Sequence, residues 1–430
     1  MARTGFRTLV LLASATAAGA FGKPRAQPAA TRRPSRTRLH LASPLARADA
    51  AVAAAADRAP FTDEELDLAL RSLRNLAPKA AVSCAGKAAG VGVSGQSFDW
   101  PALRELLAAS AHTAPKDWAR VEATARELGA ILGDPGDAPF RHVFKRVLRD
   151  GGWEGAELAA AGRATKPWVV LVTGLNGIRK TTSIYQPWFK AVLHEALGAQ
   201  ADAPAADKDG GLEALDEAEL PGGADSFFRQ LDYMIATLAN EDFRALYADT
   251  AGDVALYARV KESIFARYRT YAEALGALLV RAARARRMNV MVETSGRDAG
   301  MYAYVDAFFP DAEYRKLVVN FAINELGFAE RSVDARMTRE MAAGEAALAG
   351  GDPVVLVEAN AGGPYGSAVL AGVQAESRAV WARVLAGEEG GVGASWLKAS
   401  VAIDAHETEP WTARAVLPDG TRSDRAYTFT

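Results

Sequence analysis

Cysteine is almost absent from this chain: Cys84 stands alone among 430 residues. One thiol excludes an intrachain disulfide framework and a cysteine-based zinc site. Histidine is scarce as well. His40, His112, His142, His194 and His406 lie far apart in sequence, which argues against a histidine metal centre. The net charge is only −2, yet it is unevenly spread. Residues 1–60 carry ten Lys/Arg against two Asp/Glu, which leaves −10 on the remainder. A body this acidic is a poor fit to non-specific nucleic-acid binding, so no nucleic-acid partner is expected.

Half of the residues are apolar and 24% are charged, a globular composition with room for one large domain and a smaller one. The start, MARTGFRTLVLLASATAAGAFGKP, has two arginines and then an apolar run of roughly a dozen residues, short of the ~20 that a membrane helix needs. No integral membrane segment is expected. After Phe21 comes a basic Arg/Ser/Thr/Pro/Ala tract that is free of acids until Asp49. This order resembles the bipartite leader of nucleus-encoded plastid proteins in algae with secondary plastids. It implies a disordered leader over residues 1–59 and a plastid location, with secretion or mitochondrial import as alternatives.

The stretch around which the chain is arranged is KPWVVLVTGLNGIRKTTSIYQPWFKAVLHE, residues 166–195. A short apolar run fit for a buried strand ends in a glycine turn that opens into a helical pattern. The phosphate-loop template GxxxxGK[ST] maps onto Gly174 to Thr181. Lys180 falls where an amine meets the β/γ phosphates, and Thr181 where a hydroxyl meets Mg2+. Asn176, Gly177 and Thr182 complete the candidate cradle. The second glycine of the template is Arg179, which puts a Cβ where backbone N–H groups should close around an anion, although its guanidinium also suits one. An ordinary strand, turn and basic helix start is the alternative.

FTDEELDLALRSLRNL opens a helical N-terminal region over residues 60–160, with Thr62 and Glu65 as a capping box. Residues 198–224, rich in Ala, Asp and Gly, read as a surface insertion. Beyond it Asp232 stands in an apolar setting, where a carboxylate is costly unless paired or used; a solvent-facing helix acid is the other reading. A long helix is expected from about Asp253 to Arg287, ending in a basic cluster that suits a helix C-terminus. NVMVE then reads as a strand before the turn TSGRD, and YRKLVVNFAIN as another. A helix from Glu325 to Met341 offers Arg331, Arg336 and Arg339 on or near one face, either as a lid over a triphosphate or as ordinary surface charge. DPVVLVEA reads as a fourth strand. Residues 391–430 read as a small antiparallel β appendage with an Asp419–Gly420 turn.

Strand–helix alternation from 166 to about 390 argues for an α/β domain with a parallel sheet and ligands at the carboxyl ends of its strands. That geometry gathers Gly174–Thr181, Glu293–Arg297 and Asn324 at one edge.

The order of parts resembles the zeta-toxin family of P-loop small-molecule kinases. It is carried by VVLVTGLNGIRKTT, LDYMIATLANEDFRALY, the long helix, NVMVETSGR and LVVNFAINELGFAERSVDARM, over residues 166–345. The resemblance implies a P-loop kinase core using ATP and Mg2+. Lys180 and Thr181 would hold nucleotide and metal. Glu293, Thr294 and Arg297 in ETSGR would line the acceptor site, and Arg331 or Arg336 would be the lid arginine. Family members phosphorylate a sugar hydroxyl of UDP-N-acetylglucosamine; here the small-molecule acceptor stays open. Met234 falls at the family's base position, so Asp232 would have to act from a neighbouring site, with Glu293 as the second candidate catalytic carboxylate. The sequence thus supports ATP-dependent phosphoryl transfer to a small-molecule hydroxyl. The alternative is a catalytically silent nucleotide-binding or interaction protein on the same scaffold.

Overall fold

Trp168–Thr173 (β1) is buried at all of its positions, the mark of a strand covered on both faces. It lies inside a seven-stranded sheet. The other strands are Ser226–Arg229 (β2), Asn289–Glu293 (β3), Arg315–Ile323 (β4), Leu397–Asp404 (β5), Thr412–Val416 (β6) and Tyr427–Thr428 (β7). Their spatial order is β2-β3-β1-β4-β5-β6-β7. The first five in that order run parallel, and β6 and β7 add on antiparallel. The protein is therefore mixed α/β with a mostly parallel sheet. The computed structural model describes residues 43–77, 98–110, 114, 116–198, 215–250, 252–359, 362–387, 391 and 393–430.

Alternation along the strands sorts side chains into two apolar layers. Val169, Leu171, Phe227, Val290, Val292 and Val318 face the helices of the N-terminal half and the long helix Val254–Ala285. Val170, Val172, Phe228, Met291, Val319 and Phe321 face the helix Phe189–Leu197 and the aromatic residues of the C-terminal strands. The helical N-terminal region is thus part of the main core: Leu70, Leu103, Leu128 and Phe144 belong to the same cluster as Val169. The Thr62–Glu65 capping box is present in both directions.

Three expectations are corrected. Pro44–Ala56, read as the end of a disordered leader, is a helix tied to the body through Arg47–Asp249 and Arg259–Asp49. Residues 1–42 of the expected leader lie outside the described residues, as do Cys84, His40, His112 and positions 199–214 of the expected insertion. Pro353–Ala359, expected as a strand, is a helix that buries Leu356, Val357 and Ala359 and exposes Val355. Its apolar run is too short for periodicity to separate the two states. The C-terminal segment is no appendage: Leu317–Ile323 of β4 pairs in parallel with Leu397–Ile403, so β5 to β7 extend the main sheet. Finally, β2 was not foreseen, because SFFR is only four residues long and buried throughout.

Adjacent β1 and β4 send their outgoing chains to opposite sides, β1 toward β2 and β4 toward β5. Such a switch point opens a crevice at the carboxyl ends of the strands.

Candidate active site

The turn Gly174–Arg179 leaves β1 at that crevice and feeds the short helix Lys180–Ile184. Leu175 and Ile178 are buried in the apolar layer below and anchor the turn. Gly177 has φ +84°, and a Cβ there would lie 2.7 Å from the Ala329 carbonyl oxygen and 2.8 Å from Val333. Glycine is required at this point by both backbone and space. Arg179, the departure from the glycine template, has φ 62° and ψ 29°. It holds the left-handed conformation that glycine would take without strain, so the turn keeps its shape despite the substitution. Its guanidinium lies over the C-terminal aromatics, 4.2 Å from the Trp411 ring centre and 5.8 Å from that of Phe429.

Lys180 is 3% exposed, and its ammonium donates to the Leu175 carbonyl oxygen at 2.7 Å. The second partner comes from a neighbouring strand. In the β1–β3 ladder Val172 stands opposite Glu293, which brings that carboxylate to the start of the turn. Glu293 Oε1 is 3.1 Å from Lys180 Nζ, and its Oε2 accepts from the Thr181 hydroxyl at 3.4 Å. Two of the three ammonium donors are engaged, leaving one for a ligand.

The turn, with Asn176, Gly177, Arg179, Lys180, Thr181 and Thr182, lines a cavity of about 1150 Å3. This is above the ~300–1,000 Å3 of a pocket for one small molecule. Asp232, Glu293, Thr294, Arg297 and Arg336 line it too. Asp232 sits in the first turn of the helix Leu231–Leu238. Burial raises its carboxyl from 3.8 to about 6, Glu293 adds to the rise, and Lys261 and Arg336 oppose it. Arg336 donates to the Gly363 carbonyl oxygen at 2.9 Å, and its Nε lies 3.6 Å from Glu340 Oε1. Arg297 is exposed at the mouth, where its guanidinium contacts the Tyr365 hydroxyl at 3.2 Å.

Four sequence expectations do not converge on the cavity, the first being Gly174, which packs against the Phe321 backbone and does not line it. Arg331 points away, pairs with Glu407 at 3.2 Å and covers Phe328. Five residues of helix rotate it by roughly 140° from Arg336, whereas Arg339, three residues on, stays on the cavity side. Asn324 is structural: it donates to the Ala405 carbonyl oxygen and accepts from the Ala405 amide, both at 3.1 Å, closing the end of the β4–β5 ladder. Met234 is fully buried in the apolar core, so it occupies no position from which a base could act. Asp232 is the carboxylate that its helix turns toward the cavity.

Sequence reading missed three buried charges: Arg229 and Glu340, which line the cavity, and Lys261, which pairs with Glu340. Lys261 is wholly buried and donates to Glu340 at 2.6 Å; burial pushes its ammonium down while Glu340 holds it up. A charge between Tyr257 and Ile264 on the apolar stripe of a helix was the available signal. Glu340 carried a similar one, standing between the buried Met337 and Met341. Arg229, at the end of β2, is 2% exposed, pairs with Glu273 and lies 4.8 Å over Tyr304. Its partners come more than forty residues later, so nothing local marked it.

Among the described residues, no group of three or more His, Cys, Asp or Glu side chains could hold a metal unaided, and no helix is long and apolar enough to cross a membrane. No protein-family model matches the chain, and neither a curated protein nor a solved structure matches it at a significant level.

Proposed function

We propose that the protein transfers the γ phosphoryl group of ATP to a hydroxyl of a small molecule. One observation carries this reading. Glu293 comes from a strand 112 residues beyond Thr181, yet it bridges the ammonium of Lys180 and the hydroxyl of Thr181 at the mouth of the glycine turn. An amine, a hydroxyl and a carboxylate clustered beside a backbone turn at a sheet's switch point suit a triphosphate better than a neutral ligand. The cavity volume leaves room for a second molecule beside it.

Phosphoryl transfer asks a protein for position and charge more than for covalent chemistry. In this reading Lys180 and the turn amides hold the β and γ phosphates. Thr181 and Glu293 offer hard oxygen donors 3.4 Å apart, a set suited to Mg2+, which holds few protein ligands and supplies charge neutralisation at the phosphates when bound. Arg336, with Arg339 beside it, stabilises the charge that develops on the γ oxygens. Asp232 accepts the proton of the acceptor hydroxyl as its oxygen bonds to phosphorus and the bond to the ADP oxygen breaks. Thr294 and Arg297 stand at the acceptor side of the mouth.

The test is transfer of labelled γ phosphate from ATP into a pool of small hydroxyl compounds. The native chain should yield a labelled product, and both Lys180→Ala and Asp232→Asn should abolish it. Unchanged product with Lys180→Ala would overturn the reading.

A further inference from the structure

The departure from the template at Arg179 has a counterpart at the far end of the chain. A non-glycine residue at φ 62° is held only where its surroundings fix it. Here the surroundings are the C-terminal strands. The Arg179 guanidinium rests on Trp411, which precedes β6, and reaches Phe429, which follows β7. These two residues are joined by a bond from the Phe429 amide to the Trp411 carbonyl oxygen at 3.1 Å. Trp411 is fixed in turn by its indole N–H on the His406 carbonyl oxygen at 3.2 Å. The last residue is bound to the same helix region that follows the turn: the Thr430 amide and hydroxyl both donate to Gln186 Oε1, at 3.2 and 2.8 Å. Trp188 donates to the Thr428 carbonyl oxygen at 3.0 Å.

We infer that the aromatic seat formed by Trp411 and Phe429 is a buttress that holds the Gly174–Thr181 turn in its anion-binding shape, with Arg179 as the positioning residue that connects the two. Arginine then stands where glycine would serve because its side chain is captured from outside the turn, and β6–β7 belong to the ligand-binding device. Cation–π contact with tryptophan is the strongest of its kind and, at this exposed guanidinium, has the sign to offset part of the cost of a left-handed residue. The inference concerns the shape of the turn; its consequence for nucleotide affinity rests on the proposed kinase reading.

The experiment is amide hydrogen exchange over residues 174–181 of the full chain, without nucleotide, in a double-mutant cycle of Trp411→Leu and Arg179→Gly. Leucine keeps an apolar side chain and removes the π face. Trp411→Leu alone should speed exchange in the turn about twofold to fivefold, while the β3 and β4 amides stay unchanged. In the Arg179→Gly background the same replacement should have no effect on the turn, because glycine needs no seat. Arg179→Met, which keeps the length and loses the cation, should reproduce the effect of Trp411→Leu. Equal exchange in all variants, or equal acceleration with and without Arg179, would overturn the inference. A nucleotide titration of the same variants separates the two ideas. A native chain that binds no ATP yet shows the coupled exchange refutes the kinase reading and leaves the buttress standing.

Discussion

Replacing Asp232 by asparagine should make the protein more stable and less active at the same time. The carboxyl moves from 3.8 to about 6 on folding, chiefly through burial and secondarily through Glu293. Its charged form is therefore disfavoured in the native state. At 1.36 kcal/mol per pH unit the cost is about 3 kcal/mol when the group is fully ionised, an upper figure because the side chain is partly exposed and water screens it. The sign follows from proton counting. Between pH 4 and 6 the native state binds more protons at this site than the unfolded chain, so this contribution to stability falls as pH rises and is fully lost above about 6. Asp232→Asn removes that dependence. Melting followed by circular dichroism at pH 7.5 should rise by a few degrees in the variant, and the difference should vanish near pH 4. Phosphoryl transfer by the native chain should increase with pH through about 6 as the base ionises, and the variant should show none. A variant that melts lower than the native protein at pH 7.5, or a difference that does not change with pH, would refute this account of Asp232.

Three further outcomes are expected. Gly177→Ala places a Cβ 2.7 Å from the Ala329 carbonyl oxygen at a left-handed φ, so calorimetry should show a loss of about 1–3 kcal/mol. Arg336→Ala should lower the transfer rate by about a hundredfold or more, whereas Arg331→Ala, which removes only an exposed pair with Glu407, should leave transfer intact and change stability by less than about 0.5 kcal/mol; steady-state kinetics on both variants separates them. Arg229→Ala strands the buried Glu273 with Arg269 as its remaining cation, and urea unfolding should record a cost of about 3 kcal/mol or more, largely recovered when Glu273→Leu is combined with Arg229→Met.

How far the sequence discloses this protein depends on how local each signal is. Strands β1, β3 and β4 and the helix Val254–Ala285 announce themselves by apolar runs and a long 3.6-residue period, and their positions match the reading closely. PVVLVEA misleads because its β-branched run is compatible with both states, and the choice is made by burial against neighbouring helices. WLKASVAIDA reads correctly as a strand, but its parallel partner β4 lies some eighty residues earlier, so its membership of the main sheet is invisible locally. The same contrast holds at the site. Lys180, Thr181 and Glu293 stand in strand–turn contexts that point to one sheet edge, and Asp232 is conspicuous as an acid among apolar residues. The seat for Arg179 and the partners of Arg229 are contributed by distant segments, and no spacing rule links them. The basic, Ala-rich tract that ends in Pro44–Ala56 reads as leader by composition, yet part of it is a helix held by two ion pairs to the body.

The central claim is that the turn after β1 binds the phosphates of a nucleotide through Lys180. It is tested most directly by melting the full chain with and without Mg-ATP, beside the Lys180→Ala variant. At a nucleotide concentration a hundred times its dissociation constant, binding to the native state alone adds about 2.7 kcal/mol, a readily measured rise. The account predicts that rise for the native chain and its loss in the variant. No rise in the native chain, or an equal rise in both proteins, would contradict it.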